Sequence, residues 1–289
     1  MPNSDYYAVA ANQWVNTVSE HRKIGAELAD AGVTMVRMRP LRWANIQPLK
    51  NGSMYWGDWS QVYNAYLQYG IKIVVPLLDT PAWATNGNRV TGAPRDKPWR
   101  KFVRAAVVKF PQVYAWETWN EPDLVRFYTG TASQFLRMHK IAHRQIKKHS
   151  NAQVWGPAVL YSNIFKKGKG KKIVNKVLIS GRLDEFTYHD YSPVDNKVAN
   201  AVKVLDKVNG RYPIGITEIS SHWESLYFDQ HSEEEVADDI ERIYGLLFPG
   251  IKHAMWWPAK DWSNFRGGLM DTSYKGKKQL GMLGSLIGG

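Results

Sequence analysis

Val113-Tyr114-Ala115-Trp116-Glu117-Thr118-Trp119 is followed, after a short polar stretch, by Ala132 to His149 and then by Gln153-Val154-Trp155-Gly156. The first and third segments are short apolar, β-branched and aromatic runs that read as strands. The middle one repeats apolar residues at Phe135, Leu136, Ile141 and Ile146, the spacing of one helical face. Strand, helix and strand in this order point to parallel strands joined by a crossover helix.

The same alternation extends in both directions. The remaining candidate strands are Tyr6 to Ala10, Thr34 to Met38, Lys72 to Leu77, Glu185 to Asp190, Ile214 to Ile219 and His253 to Trp257, giving eight strand-helix units. Glu233 to Leu247 reads as a helix with acidic residues in its first turn, where they complement the helix dipole. A glycine-rich last helix is expected around Lys277 to Ile287. No internal repeat, low-complexity linker or Pro-rich hinge divides the chain. The expectation is an α/β protein with one domain over residues 1–289, a single (β/α)8 TIM barrel. The length of 289 residues fits, since such a barrel needs about 250.

Composition narrows the classes. Apolar residues make up 44% and charged residues 22%, and nothing approaches the ~18 consecutive apolar residues of a membrane span. The opening Met-Pro-Asn-Ser-Asp-Tyr-Tyr carries no basic start and apolar core of a secretory signal. That reading leaves a cytoplasmic protein or a secreted one in trimmed form. There are no cysteines, which excludes disulfides, thiolate metal sites and cysteine nucleophiles. Lys and Arg exceed Asp and Glu by 38 to 26, a net charge of +12.

In a barrel of this kind, catalytic groups stand at the carboxyl ends of the strands and on the loops that follow. The fourth strand runs into Trp119-Asn120-Glu121-Pro122, with Pro122 ending the strand, and the seventh reads Ile214-Gly215-Ile216-Thr217-Glu218-Ile219. Each places a carboxylate at that end. Paired carboxylates cleave glycosidic bonds: about 5–5.5 Å between them gives retention of configuration, and about 6.5–9.5 Å gives inversion.

With these residues in place, the chain resembles the clan A glycoside hydrolases, whose strand-four Asn-Glu-Pro motif and strand-seven Glu are acid/base and nucleophile. Within the clan it is most similar to the family 39 and family 5 group. The similarity rests on Val36-Arg37-Met38, Trp43-Ala44-Asn45-Ile46-Gln47-Pro48, Pro76 through Thr80-Pro81-Ala82-Trp83, Trp119-Asn120-Glu121-Pro122-Asp123, His189-Asp190-Tyr191 and Trp256-Trp257. Their order and spacing cover nearly the whole chain.

The resemblance implies a retaining glycosidase with Glu121 as acid/base and Glu218 as nucleophile. It further implies that Arg37 and Tyr191 hydrogen-bond Glu218, that Asn120 binds a sugar 2-OH, and that His189 lines the pocket. Trp257 or Trp256 would be a sugar platform, and Trp43 and Trp83 would serve neighbouring subsites. Most of the clan cleaves β-linkages. One departure stands out: Arg39 occupies a position where the relatives often carry Asp.

Structural roles compete with these. Arg37 could be a rim ion-pair residue, most tryptophans are core, and Glu117 and Glu224 are carboxylates open to mistaken assignment, Glu117 as a buried polar group. No metal is expected. His-Glu-x-x-His is absent, and His139 with His143 reads as a pair on the outer face of its helix. Without a Gly-Lys-Ser/Thr loop or a Gly-x-Gly-x-x-Gly after a strand, no cofactor is expected either.

Basic residues gather in loops of the catalytic face. Lys166-Lys167-Gly168-Lys169-Gly170-Lys171-Lys172 follows the fifth strand, and Arg89, Arg95 and Lys97 follow the third against Asp79 and Asp96. They raise an acidic polysaccharide as substrate, beside the plainer reading of a solvated loop. Two other classes remain: a non-catalytic carbohydrate-binding barrel, and a nucleic-acid binder suggested only by net charge, with no recognised module. A carbohydrate partner, no nucleic acid and no membrane span are the expectation, while endo or exo action and oligomeric state are open.

Overall fold

The structure is a computed structural model that describes residues 4–11, 17–85, 87, 90–220, 232–247, 250–261 and 268–288. The strands are β1 (Tyr7–Ala10), β2 (Met35–Arg37), β3 (Leu41–Arg42), β4 (Lys72–Leu78), β5 (Val113–Thr118), β6 (Gln153–Leu160), β7 (Glu185–Asp190), β8 (Ile214–Ile219) and β9 (His253–Trp256). They form one sheet in the order β2-β1-β9-β8-β7-β6-β5-β4-β3, and a further β2–β4 pairing closes it. Setting aside the two-residue β3, this is the expected parallel eight-stranded barrel with helices between the strands.

The strands read as apolar runs because they are covered on both faces: β1 is buried throughout, and β4 from Ile73 to Leu78. The helices are α1 (Val18–Asp30), α2 (Trp43–Ile46), α3 (Gly57–Leu67), α4 (Asp96–Lys109), α5 (Ala132–His149), α6 (Tyr161–Phe165), α7 (Lys169–Ser180), α8 (Val194–Val208), α9 (Glu233–Leu247) and α10 (Lys278–Gly288). Thr17 with Glu20, and Thr131 with Gln134, form capping boxes that start α1 and α5. Each satisfies backbone donors that have no partner within the helix.

Three expectations are corrected. The fifth expected strand ends at Gly156, whereas β6 runs on to Leu160; Gly156-Pro157 reads as a breaker, yet the strand continues past it through a left-handed Ala158 (φ 52°). Lys169 to Lys172 are not loop but the first turn of α7. His139 is not on the outer face of α5: it is fully buried, in register with Phe135, Ala142 and Ile146. Its Nδ1 is 2.5 Å from Thr118 Oγ1, and its Nε2 is 2.6 Å from the Arg182 carbonyl. Burial pulls its pKa down to about 4, so it is a neutral, satisfied core histidine.

The chain divides into two compact units. Unit 1 is Met1–Arg39, Asp58–Ile73 and His189–Gly289, and unit 2 is Pro40–Gly57 and Val74–Tyr188. In unit 1, β1 is parallel to β2 and β9, with Ala10 opposite Arg37 and Val9 opposite Trp256. There β8 pairs with β9, with an irregularity between Ile216 and Ile219. In unit 2, β5 pairs with β6, Glu117 opposite Trp155, and β3 with β4. Among the described residues, no helix is long and apolar enough to cross a membrane.

Candidate active site

The expected site residues divide between the units. In unit 1, Glu218 is the penultimate residue of β8 and is buried. Arg37, the last residue of β2, donates from Nη1 to Glu218 Oε1 at 2.5 Å, and the Tyr191 hydroxyl donates to Oε2. His189 Nε2 lies 3.8 Å from Oε1. Burial pushes the Glu218 pKa up, but the charges of His189 and Arg37 and the hydrogen bonds from Tyr191 and Arg37 outweigh it. The carboxyl is held below its ordinary value, as an ionised group with charge-assisted partners should be.

Tyr191 is itself held from beneath. Lys197, buried on α8, donates from Nζ to the carbonyls of Asp190 and Ser192 at 3.0 and 2.8 Å, gripping the chain on either side of Tyr191. Asp190 Oδ1 accepts from the Ser192 amide at 2.9 Å, and Asn200 Nδ2 donates to Asp190 Oδ2 and Ser192 Oγ at 3.2 and 2.8 Å. Burial draws the Lys197 pKa down to about 8, against the opposing charges of Asp190 and Asp239. The sequence reading missed this network. Its available signal was Lys197 and Asn200 three positions apart on a helix whose other inward residues are apolar.

Trp257 follows β9, and its ring stands edge-on to Tyr191, with centroids 5.6 Å apart. It is 6% exposed, while Trp256 is fully buried. Trp256 is the last residue of β9 and offers no surface to a ligand, whereas Trp257 stands just beyond the strand.

In unit 2, Thr118 ends β5, and the backbone then turns through left-handed conformations at Trp119 (φ 81°) and Glu121 (φ 43°). Such conformations cost about 1–3 kcal/mol each and gather at functional sites. The surroundings hold this one. Trp119 is buried with its Nε1 on the Phe127 carbonyl at 3.0 Å, and the Glu121 amide donates to the Ala158 carbonyl at 3.0 Å. Ala158 lies in the part of β6 beyond Gly156, so the longer strand anchors Glu121. The Glu121 carboxylate is buried, with Arg126 Nη2 3.3 Å from Oε2. Asn120, also buried, precedes it.

Asp123 accepts from Asn163 Nδ2 at 2.7 Å and from the Leu160 amide at 3.3 Å. Burial raises its pKa, opposed by those hydrogen bonds and reinforced by the negative charge of Glu121. The sequence reading used Asp123 only as part of a motif and did not single out Arg126. The signal for Arg126 was a cation five residues beyond the acid.

Of the two tryptophans expected at subsites, Trp43 is fully buried and stacks on Phe102 at 4.9 Å. That is a core position and offers no surface to a ligand. Trp83 is partly exposed, packs edge-on against Trp43 at 5.6 Å and donates to the Gln47 carbonyl at 3.0 Å.

Other residues flagged by the sequence fall as follows. Glu117 is buried and accepts from Thr187 Oγ1 at 2.7 Å, the buried polar role. Asp79, just after β4, is paired with Arg42 at 2.6 Å; Asp96 and Lys97 are not loop but the first turn of α4, and Asp96 is paired with Arg137 at 2.6 Å. Arg39 bears electrostatically on the buried Tyr66 hydroxyl, lowering a pKa that burial raises. Arg89 and Glu224 lie outside the described residues.

No family model matches the sequence, and no curated protein matches it. Solved structures do. A GH39 β-xylosidase from Caulobacter crescentus aligns over 99% of this chain and 72% of its own, with a TM-score of 0.77 at 18% identity. A GH30 endoxylanase from Clostridium papyrosolvens C71 aligns over 100% of this chain and 72% of its own, TM-score 0.70 at 17% identity. GH5_18 from Streptomyces cattleya, solved in complex with GlcNAc, aligns over 99% and 80%, TM-score 0.77 at 14% identity. This likeness establishes the fold.

Proposed function

We propose that the protein is a retaining glycoside hydrolase acting on β-linked poly- or oligosaccharide, with Glu218 as nucleophile and Glu121 as acid/base. The observation that carries the reading is the setting of Glu218. Arg37 and Tyr191 bond its two oxygens and hold it ionised at the carboxyl end of β8, where (β/α)8 enzymes keep their chemistry. Glu121 follows the carboxyl end of another strand of the same sheet, and the fold is that of solved glycosidases.

In the first step Glu218 attacks the anomeric carbon. The bond to the leaving oxygen breaks as Glu121 delivers its proton, leaving a glycosyl ester on Glu218. In the second, Glu121 takes a proton from water, water attacks the anomeric carbon, and the Glu218 carboxylate departs. The reading requires the two carboxyls to stand about 5–5.5 Å apart. Asn120 would bind the 2-OH, and Trp257 and Trp83 would offer ring faces to sugars.

An acidic glycan is the favoured substrate class. Asp79 and Asp96 are already paired, while Arg95, Lys97, Lys166 and Lys167 are exposed. The test is release of reducing ends from a panel of neutral and uronate- or sulfate-bearing polysaccharides by the wild type, Glu121→Gln and Glu218→Gln. Turnover by the wild type alone, strongest on acidic polymers and weakened by salt, supports both parts. Equal, salt-insensitive turnover of neutral glycans removes the acidic part. Glycan binding without turnover moves the reading to a non-catalytic binding barrel.

A further inference from the structure

The charge is not shared between the units. Unit 2 holds 22 Lys and Arg against 7 Asp and Glu, and unit 1 holds 16 against 19, so unit 2 carries +15 and unit 1 carries −3. Within unit 2 the excess is concentrated on three neighbouring outer helices, α4, α5 and α7. Asp96 is the single acidic residue in the three.

On α5 the exposed cations Arg137, Lys140, Arg144 and Lys148 follow one another at three- and four-residue steps. That places them on one face, about 4.5–6 Å apart along the axis. Arg100 and Arg104 on α4, and Lys172 and Lys176 on α7, repeat the four-residue step on the flanking helices. Among the described residues, Arg100, Arg104, Lys140, Arg144, Lys148 and Lys172 make no ion pair.

Two further features mark the face as more than a solvated surface. α7 begins with Lys169, Lys171 and Lys172 in its first turn, behind Gly168, which gives no side-chain cap. Cations there oppose the helix dipole. A cavity of about 280 Å³ also opens between the starts of α4 and α5, lined by Arg95, Asp96, Gln134 and Arg137. The two helices that flank it follow the loops after β4 and β5.

We infer that the α4–α5–α7 face is an accessory binding surface for an anionic polysaccharide, with one residue of the chain in the cavity and the strand continuing along the cations of α5. Its polyanion-binding character stands on the charge pattern. The choice of a glycan over other polyanions rests on the function proposed above. The step between cations matches the length of a pyranose ring. Among the described residues, the large apolar side chains exposed on these helices are the aliphatic Val108 and Ile179. No aromatic is offered there for stacking bases, which single-strand nucleic-acid binders use.

The test is direct binding of polygalacturonate to the full chain at low and moderate ionic strength, for the wild type and for a K140E/R144E/K148E variant, with double-stranded DNA as competitor. All three positions are exposed and outside the catalytic machinery. The expected result is wild-type binding that weakens with salt. The variant should bind roughly tenfold more weakly or worse and with a shallower salt slope, at unchanged turnover of short substrates. A variant that binds as well as the wild type overturns the surface, and DNA that displaces the polyuronate at equal or lower concentration overturns the glycan. If binding behaves as expected while no glycan is cleaved, the surface stands and the hydrolase reading fails; cleavage with unaltered binding in the variant gives the converse.

Discussion

Glu218 and Glu121 are both buried at strand ends, yet their surroundings differ in kind. Around Glu218 the work is done by side chains: Arg37 and Tyr191 take its two oxygens and His189 stands 3.8 Å away. Around Glu121 the backbone takes a visible part: φ is positive at Trp119 and Glu121 and the Glu121 amide is tied to Ala158, while an exposed Arg126 makes a longer 3.3 Å contact. Under the proposed mechanism the nucleophile must stay charged, which the donors around Glu218 favour. The proposed acid/base must exchange its proton twice per turnover, and the main-chain turn that carries Glu121 would aim it.

The largest effect should come from removing either carboxyl. Glu218→Gln should lower kcat by on the order of 10⁴-fold or more, and Glu121→Gln by about 10²- to 10⁴-fold, with both variants folded by circular dichroism. Equal tolerance of the two substitutions would erase the contrast.

Next come the donors. Arg37→Met should cost about 10- to 100-fold in kcat/KM, since a hydrogen bond to a charged group is worth about 1.5–3 kcal/mol. It should also move the acid limb of the pH-rate profile upward, because a lost cation raises the Glu218 pKa. Tyr191→Phe should act in the same direction with a smaller shift. The linkage has a matching sign. A carboxyl held below its ordinary ~4.3 stabilises the fold fully above that value and loses the contribution as pH falls through the lower folded one. Thermal melts of Arg37→Met against pH should lack that acid-side loss.

A smaller effect lies one layer deeper. Lys197→Met should loosen the Asp190–Ser192 segment and reduce kcat by a few-fold, leaving binding of a ground-state sugar little changed. With Lys197 at about 8 in the folded chain and near ~10.4 in the unfolded one, the unfolded state holds the proton more tightly between those values. This residue's contribution to stability therefore rises with pH across that window, and Lys197→Met should flatten the rise.

The barrel was legible because its parallel strands are buried on both faces and read as apolar runs, and because α5 and α9 keep a clean helical period; both begin and end where the pattern places them. The misreadings have local causes. Gly156-Pro157 punctuates like a strand end, but beyond it the chain is held by a contact distant in sequence, the Glu121 amide on the Ala158 carbonyl. His139 looks solvent-facing until Thr118 and the Arg182 carbonyl, distant in sequence, satisfy both ring nitrogens. Trp256 and Trp257 are adjacent, so a sequence names them together, while the fold seals Trp256 at the end of β9 and leaves Trp257 6% exposed beyond it. The Glu218 environment was expected from resemblance, and the structure brings Arg37, His189 and Tyr191 to it. The support beneath Tyr191 and the contact from Arg126 leave only a faint trace in spacing, because tertiary geometry sets their partners.

Proton NMR of the anomer first released from a cleaved glycan decides between the two displacement mechanisms. Double displacement at Glu218 predicts that the product appears with the configuration of the substrate and mutarotates only afterwards, and that Glu218→Gln releases none. Initial release of the opposite anomer would contradict it, because inversion requires single displacement by a water held between more widely spaced carboxylates.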